Sequence, residues 1–112
     1  MLKYFYHNPI KGYDVPSDEA TSLDKEYTID MVYDTIGDEP GSYFGAISQD
    51  DVTLQFYLED HDERIRMEVP VPKEQGSYAK YVNFDEALET IKNLKDNFSL
   101  KDFLGLKYES WQ

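Results

Sequence analysis

Ser42-Tyr43-Phe44-Gly45-Ala46-Ile47-Ser48-Gln49-Asp50-Asp51-Val52-Thr53-Leu54-Gln55-Phe56-Tyr57-Leu58-Glu59 is the stretch whose reading decides the fold. Its side chains alternate between apolar and polar, the pattern of half-buried strands, and Asp50-Asp51 breaks it with turn residues. Extended outward, the alternation predicts strands at 27–36, 42–49, 52–59 and 64–70. The links between them, residues 37–41, 50–51 and 60–63, are short and turn-rich, which favours an antiparallel meander.

A two-residue turn at Asp50-Asp51 sets Ile47 opposite Leu54, Gly45 opposite Phe56 and Tyr43 opposite Leu58. The 60–63 link sets Leu58 opposite Ile65, Phe56 opposite Met67 and Leu54 opposite Val69. This register gathers Ile29, Met31, Tyr33, Tyr43, Ile47, Val52, Leu54, Phe56, Leu58, Ile65, Met67 and Val69 onto one core face. Gly45 then reads as room left for an aromatic ring.

The cover for that face comes later in the chain. Asn83 with Glu86 three residues on forms a capping box, and Phe84, Ala87, Leu88, Ile91, Leu94 and Phe98 recur at helical spacing. Ser99 starts a short turn that Gly105 stops. Residues 2–7 and 106–111 compete for places at the sheet edges. Residues 8–26 read as a long loop with a turn of helix near Ser17-Asp18-Glu19-Ala20. The expected architecture is α+β: a four- to six-stranded antiparallel meander sheet with one main C-terminal helix packed on one face, in a single domain spanning 1–112.

At 112 residues and 40% hydrophobic, with ten Tyr, six Phe and one Trp, the chain has enough apolar mass for a core. It has no run long and apolar enough for a transmembrane helix, and its first residues lack the apolar stretch of a secretory signal. Without cysteine there are no disulfides, thiol chemistry or thiolate metal sites. Net charge is -12, which disfavours direct nucleic-acid binding and anionic membranes. Residues 1–63 hold 15 acids against 3 bases, whereas residues 64–112 hold 8 of each. The excess therefore lies entirely in the first half. A field of that kind speeds encounter with a cationic partner, although surface acids also serve plain solubility.

The other face of the predicted sheet carries Asp34, Phe44, Tyr57 and Arg66 in one row, with Asp30 nearby and Glu59 opposite Arg64. Aromatic residues ringed by carboxylates suit protein recognition. The expected partner-binding residues are Asp30, Asp34, Phe44, Tyr57, Glu59, Asp60, Asp62 and Arg66. Alternatives for this face are a cover formed by the 8–26 loop or a self-complementary dimer contact. Tyr57 beside Arg66 also allows a cation–π contact.

Catalytic chemistry is thinly supplied. His61 sits among carboxylates in a predicted hairpin tip open to water, no Gly-x-Ser-x-Gly elbow is present, and carboxylates are too numerous for any pair to stand out. The 59–63 acids offer oxygens to a hard cation, but without the EF-hand pattern. The reading is no enzyme, no cofactor and no dedicated metal site.

A family likeness rests on Val82-Asn83-Phe84-Asp85-Glu86-Ala87-Leu88, the helix through Leu94, and Glu109-Ser110-Trp111. With the small, acidic, tyrosine-rich, cysteine-free α+β character, these residues resemble the immunity proteins of bacterial polymorphic and contact-dependent toxin systems. The resemblance covers about the last thirty residues and leaves Pro70-Val71-Pro72 and the 8–26 loop unplaced. It implies a cytoplasmic inhibitor that binds a cognate toxin, commonly a cationic nuclease or deaminase; the chain itself is expected to be a monomer or weak homodimer. The competing expectations are a nucleic-acid mimic acting on DNA-binding proteins and a small ligand-binding or enzymatic α+β domain.

Overall fold

The Asp24 side chain accepts a hydrogen bond from the Tyr27 N–H at 2.7 Å, capping the helix α1 (Lys25–Asp34). In the computed structural model, which describes residues 1–60 and 64–112, this helix stands where alternation predicted a strand at 27–36. Thr28, Met31 and Val32 fall on one helical stripe and are buried, with Ile36 following them into the core. Of the Ile29-Met31-Tyr33 alternation only Met31 is fully buried, and Tyr33 is exposed.

The strand beside the 42–49 segment comes instead from the start of the chain. Strands β1 (Lys3–Asn8), β2 (Tyr13–Val15), β3 (Tyr43–Ile47), β4 (Thr53–Leu58), β5 (Ile65–Val71), β6 (Gly76–Val82) and β7 (Lys107–Ser110) form one antiparallel sheet. The order is β2-β1-β3-β4-β5-β6-β7, so the sheet exceeds the four to six strands expected. The extra strands are β2, in the predicted loop, and β6, whose Gly76, Ser77 and Ala79 weaken its apolar pattern. Pro72 takes the first position of the 3₁₀ turn Pro72–Glu74 that joins β5 to β6. Both terminal strands find places, β1 inside the sheet and β7 at its edge.

The β4–β5 register is the one expected: Leu58 pairs with Ile65 and Phe56 with Met67. The β3–β4 register is shifted by one residue, with Phe44 opposite Phe56 and Tyr43 opposite Tyr57. The turn is the cause. Ser48 and Val52 are joined by a backbone hydrogen bond at 2.9 Å, and Asp51 adopts a φ of 62°, so the loop has three residues, 49–51. The Ser48 hydroxyl accepts from the N–H groups of Asp50 and Val52 and holds the turn closed. One added residue inverts the faces of β3. Phe44 and Ala46 point into the core, and Tyr43, Gly45 and Ile47 point away from it.

The core joins Tyr4, Tyr6, Phe44, Leu54, Phe56, Met67 and Val69 of the sheet with Met31 and Val32 of α1. To these it adds Ala87, Leu88 and Ile91 of α2 (Phe84–Lys92). Both helices therefore lie on the same side of the sheet, where a single C-terminal helix was expected. The Asn83–Glu86 capping box forms as the sequence indicates. The helix stops at Lys92, before Leu94 and Phe98, yet Phe98 is still buried by the irregular segment that follows. Full burial of a Phe side chain is worth about 1.5–3 kcal/mol, so this segment is anchored in the core rather than trailing from it.

Candidate functional site

Register decides which side chains share the face turned away from the helices. Pairing aligns His7, Tyr43, Tyr57, Arg66 and Tyr81 in one row across β1, β3, β4, β5 and β6. The next row brings Phe5, Gly45, Gln55, Glu68 and Ala79 together. The His7 ring stacks on Tyr43 with centroids 5.2 Å apart, and Tyr43 lies 5.9 Å from Tyr57. A continuous aromatic strip thus runs from β1, one strand in from the edge, to the middle of the sheet. Phe5 supports it from below: its ring lies over Gly45, where a Cβ would come within 2.0 Å of Phe5 Cζ. The glycine does make room for an aromatic, but the ring comes from β1 rather than from Phe56.

Both tyrosines of the strip are partly buried and stay protonated. Burial pushes the Tyr57 and Tyr43 hydroxyls up, with Glu68 adding to the first and Asp14 to the second. They therefore offer neutral, amphipathic rings at neutral pH, the type of side chain that anchors protein interfaces.

The far end of the row is charged, with its arginines paired inside the molecule. Arg66 binds Glu68 at 3.3 Å and Glu109 more closely still, and Gln55 donates to Glu68 at 2.6 Å. The hydrogen bond from Arg66 holds the Glu109 carboxyl below its ordinary value and locks the guanidinium in its charged form. The cation–π contact belongs to Arg64, which lies 4.1 Å over the Tyr81 ring, while Arg66 is taken up by carboxylates. Tyr81 in turn donates to Glu59 at 3.1 Å.

The predicted partner-binding residues separate into three groups. Tyr57 and Arg66 lie on the aromatic face, with Glu59 and Asp60 at the end of β4. Asp30 and Asp34 lie on α1, on the helix-covered side, because residues 27–36 are helical. Phe44 is 0% exposed and can contact no partner; Tyr43 stands in its place on the face. Asp62 and the His61 tip lie outside the described residues. The sequence reading left out His7 and put Tyr43 in the core: the length of the 49–51 turn sets the face of Tyr43, and the β1–β3 pairing brings His7 beside it.

The loop expected as a possible cover runs elsewhere. Thr21 bridges to Tyr4 along the edge of β1, and Tyr13, Val15 and Leu23 pack against the core. Its hairpin is tied to α1 through Asn8, whose amide donates to the Asp34 carbonyl, and through Lys11, which bridges Asp34 at 3.1 Å and Asp38 at 3.2 Å. Those contacts place the acidic α1 beside β1. The α1 surface carries Glu26, Asp30 and the exposed Tyr27 and Tyr33.

Among the described residues, no cluster of three or more His, Asp or Glu side chains is arranged to hold a metal ion. Among the described residues, no helix is long and apolar enough to cross a membrane. Compared with known proteins, the chain matches no family model, no curated protein and no solved structure.

Proposed function

We propose that this chain is an acidic protein-binding inhibitor, an immunity protein of the cytoplasm that neutralises a cognate cationic toxin by blocking its active-site cleft. The observation that carries the reading is the His7–Tyr43–Tyr57 strip on the sheet face opposite both helices. A nuclease or deaminase needs a basic cleft to hold its polyanionic substrate, and a carboxylate-rich surface with rigid aromatic anchors can fill that cleft. The two surfaces divide the labour. Glu26, Asp30 and their neighbours on α1 draw the partner in, while Tyr43 and Tyr57 form the desolvated centre of the contact.

The test uses the partner recovered by tagged pull-down from nuclease-treated lysate of the source organism and then purified. Changing both Tyr43 and Tyr57 to Ala should weaken binding by about 100-fold, mainly through faster dissociation, and should abolish protection in cells expressing the toxin. Changing Glu26 and Asp30 to Gln and Asn should slow association by a few-fold, with an effect that fades in high salt. Unchanged affinity in the double tyrosine variant would sink this reading. So would recovery of many unrelated DNA-binding proteins released together by modest salt.

A further inference from the structure

The free edge at β7 is complementary to itself. The Trp111 N–H donates to the Gln75 carbonyl at 2.9 Å, continuing the ladder in which Glu109 faces Ser77 and Lys107 faces Ala79. Alternate residues of an antiparallel strand turn their backbone groups to opposite sides. With Trp111, Glu109 and Lys107 bonded toward β6, Tyr108 and Ser110 direct their N–H and C=O groups outward. Among the described residues no strand meets them, and all four residues of β7 are exposed. The opposite edge is guarded differently: β2 has only three residues and is closed by Pro16.

We infer that β7 pairs with β7 of a second copy about a two-fold axis at Tyr108, joining two sheets into one. In that register Lys107 faces Glu109 of the second copy, twice, and Tyr108 faces its own counterpart. A lone lysine on an edge strand repels a second edge. Lys107 and Glu109, two positions apart on the same face, attract an antiparallel copy instead. On that face each Glu109 sits between the Arg66 of its own chain and the incoming Lys107, so charges alternate across the seam. On the other face the Tyr78–Tyr108 ring pair, 5.4 Å apart and steadied by the Tyr108 hydroxyl on the Glu74 carbonyl at 2.6 Å, meets its duplicate.

The distribution of charge selects this edge over the other. Residues 64–112, which supply β5, β6 and β7, have equal numbers of acids and bases. The first half carries the whole -12, and its helix α1 is tied to β1. Joining at β7 therefore puts the two acidic regions far apart and the neutral regions in contact. Two strands, β5 and β6, separate β7 from Tyr57 on β4, so the aromatic strip stays open in the dimer, and the inference is independent of the proposed function.

Sedimentation velocity from micromolar to millimolar chain should show a monomer passing into a dimer. Lys107→Glu and Glu109→Lys, each alone, place like charges opposite each other twice and should weaken association about tenfold. Mixed in equal amounts, these two variants restore both pairs and should form a heterodimer with an affinity near that of the unaltered chain. Circular dichroism should show that each variant keeps its sheet. A chain that stays monomeric throughout overturns the inference. So does a dimer indifferent to both reversals, or a mixture that associates no better than its components.

Discussion

Gly45 shows what a single missing Cβ can require. The Phe5 ring occupies the space directly over it, and any side chain there must displace the ring. Gly45→Ala should lower stability by about 1–3 kcal/mol in urea unfolding. Combined with Phe5→Leu, the loss should be smaller than the sum, with a coupling of at least about 0.5 kcal/mol. Strict additivity would mean that the ring is not what excludes the methyl group. Sequence alone showed that an aromatic belonged over Gly45. It could not show which one, because β3 offers apolar residues in both phases: Phe44 and Ala46 in one, Tyr43 and Ile47 in the other. Asp51 was equally silent, since a non-glycine residue at positive φ carries none of the Asn-Gly or Asp-Gly signal by which such turns are recognised.

Among elements, α1 is the informative case. Tyr27, Thr28, Ile29, Val32 and Tyr33 are β-branched or aromatic, so their composition favours a strand, yet the cap at Asp24 and the packing of Met31 and Val32 make a helix. Asp24→Ala should cost about 1 kcal/mol and lower Tm by about 4–8 °C in a thermal scan. A strand over these residues would feel no such loss, so an unchanged Tm would count against the helix. The C-terminal helix was legible because cap, capping box and apolar stripe agreed. The sheet from β4 to β5 was legible because only one phase of each strand is apolar. The aromatic face was half legible: Tyr57 and Arg66 follow from β4 and β5, whereas His7 and Tyr43 depend on the β1–β3 pairing, which local pattern does not encode.

On the scale of the whole molecule, one contact ties the middle of the sheet to its edge. Arg66 on β5 reaches across β6 to Glu109 on β7, and the pair keeps the Glu109 carboxyl below its ordinary 4.5. The folded value is depressed, so the stabilisation is complete above 4.5 and disappears as pH falls through the lowered value. Trp111, the single tryptophan, donates to the Ser77 hydroxyl at 3.0 Å at the end of β7 and reports on this edge. Its fluorescence should change in acid below pH 4.5, and Glu109→Gln should remove that transition. A titration identical in the variant would show that the ion pair does not hold the edge.

The placement of α1 beside β1, opposite the charge-balanced β7, also makes the molecule an electric dipole directed across its strands. A positively charged surface therefore does not adsorb it at random. On an anion-exchange resin or an amine-coated sensor the chain stands on its α1 side, with β7 turned to the solution.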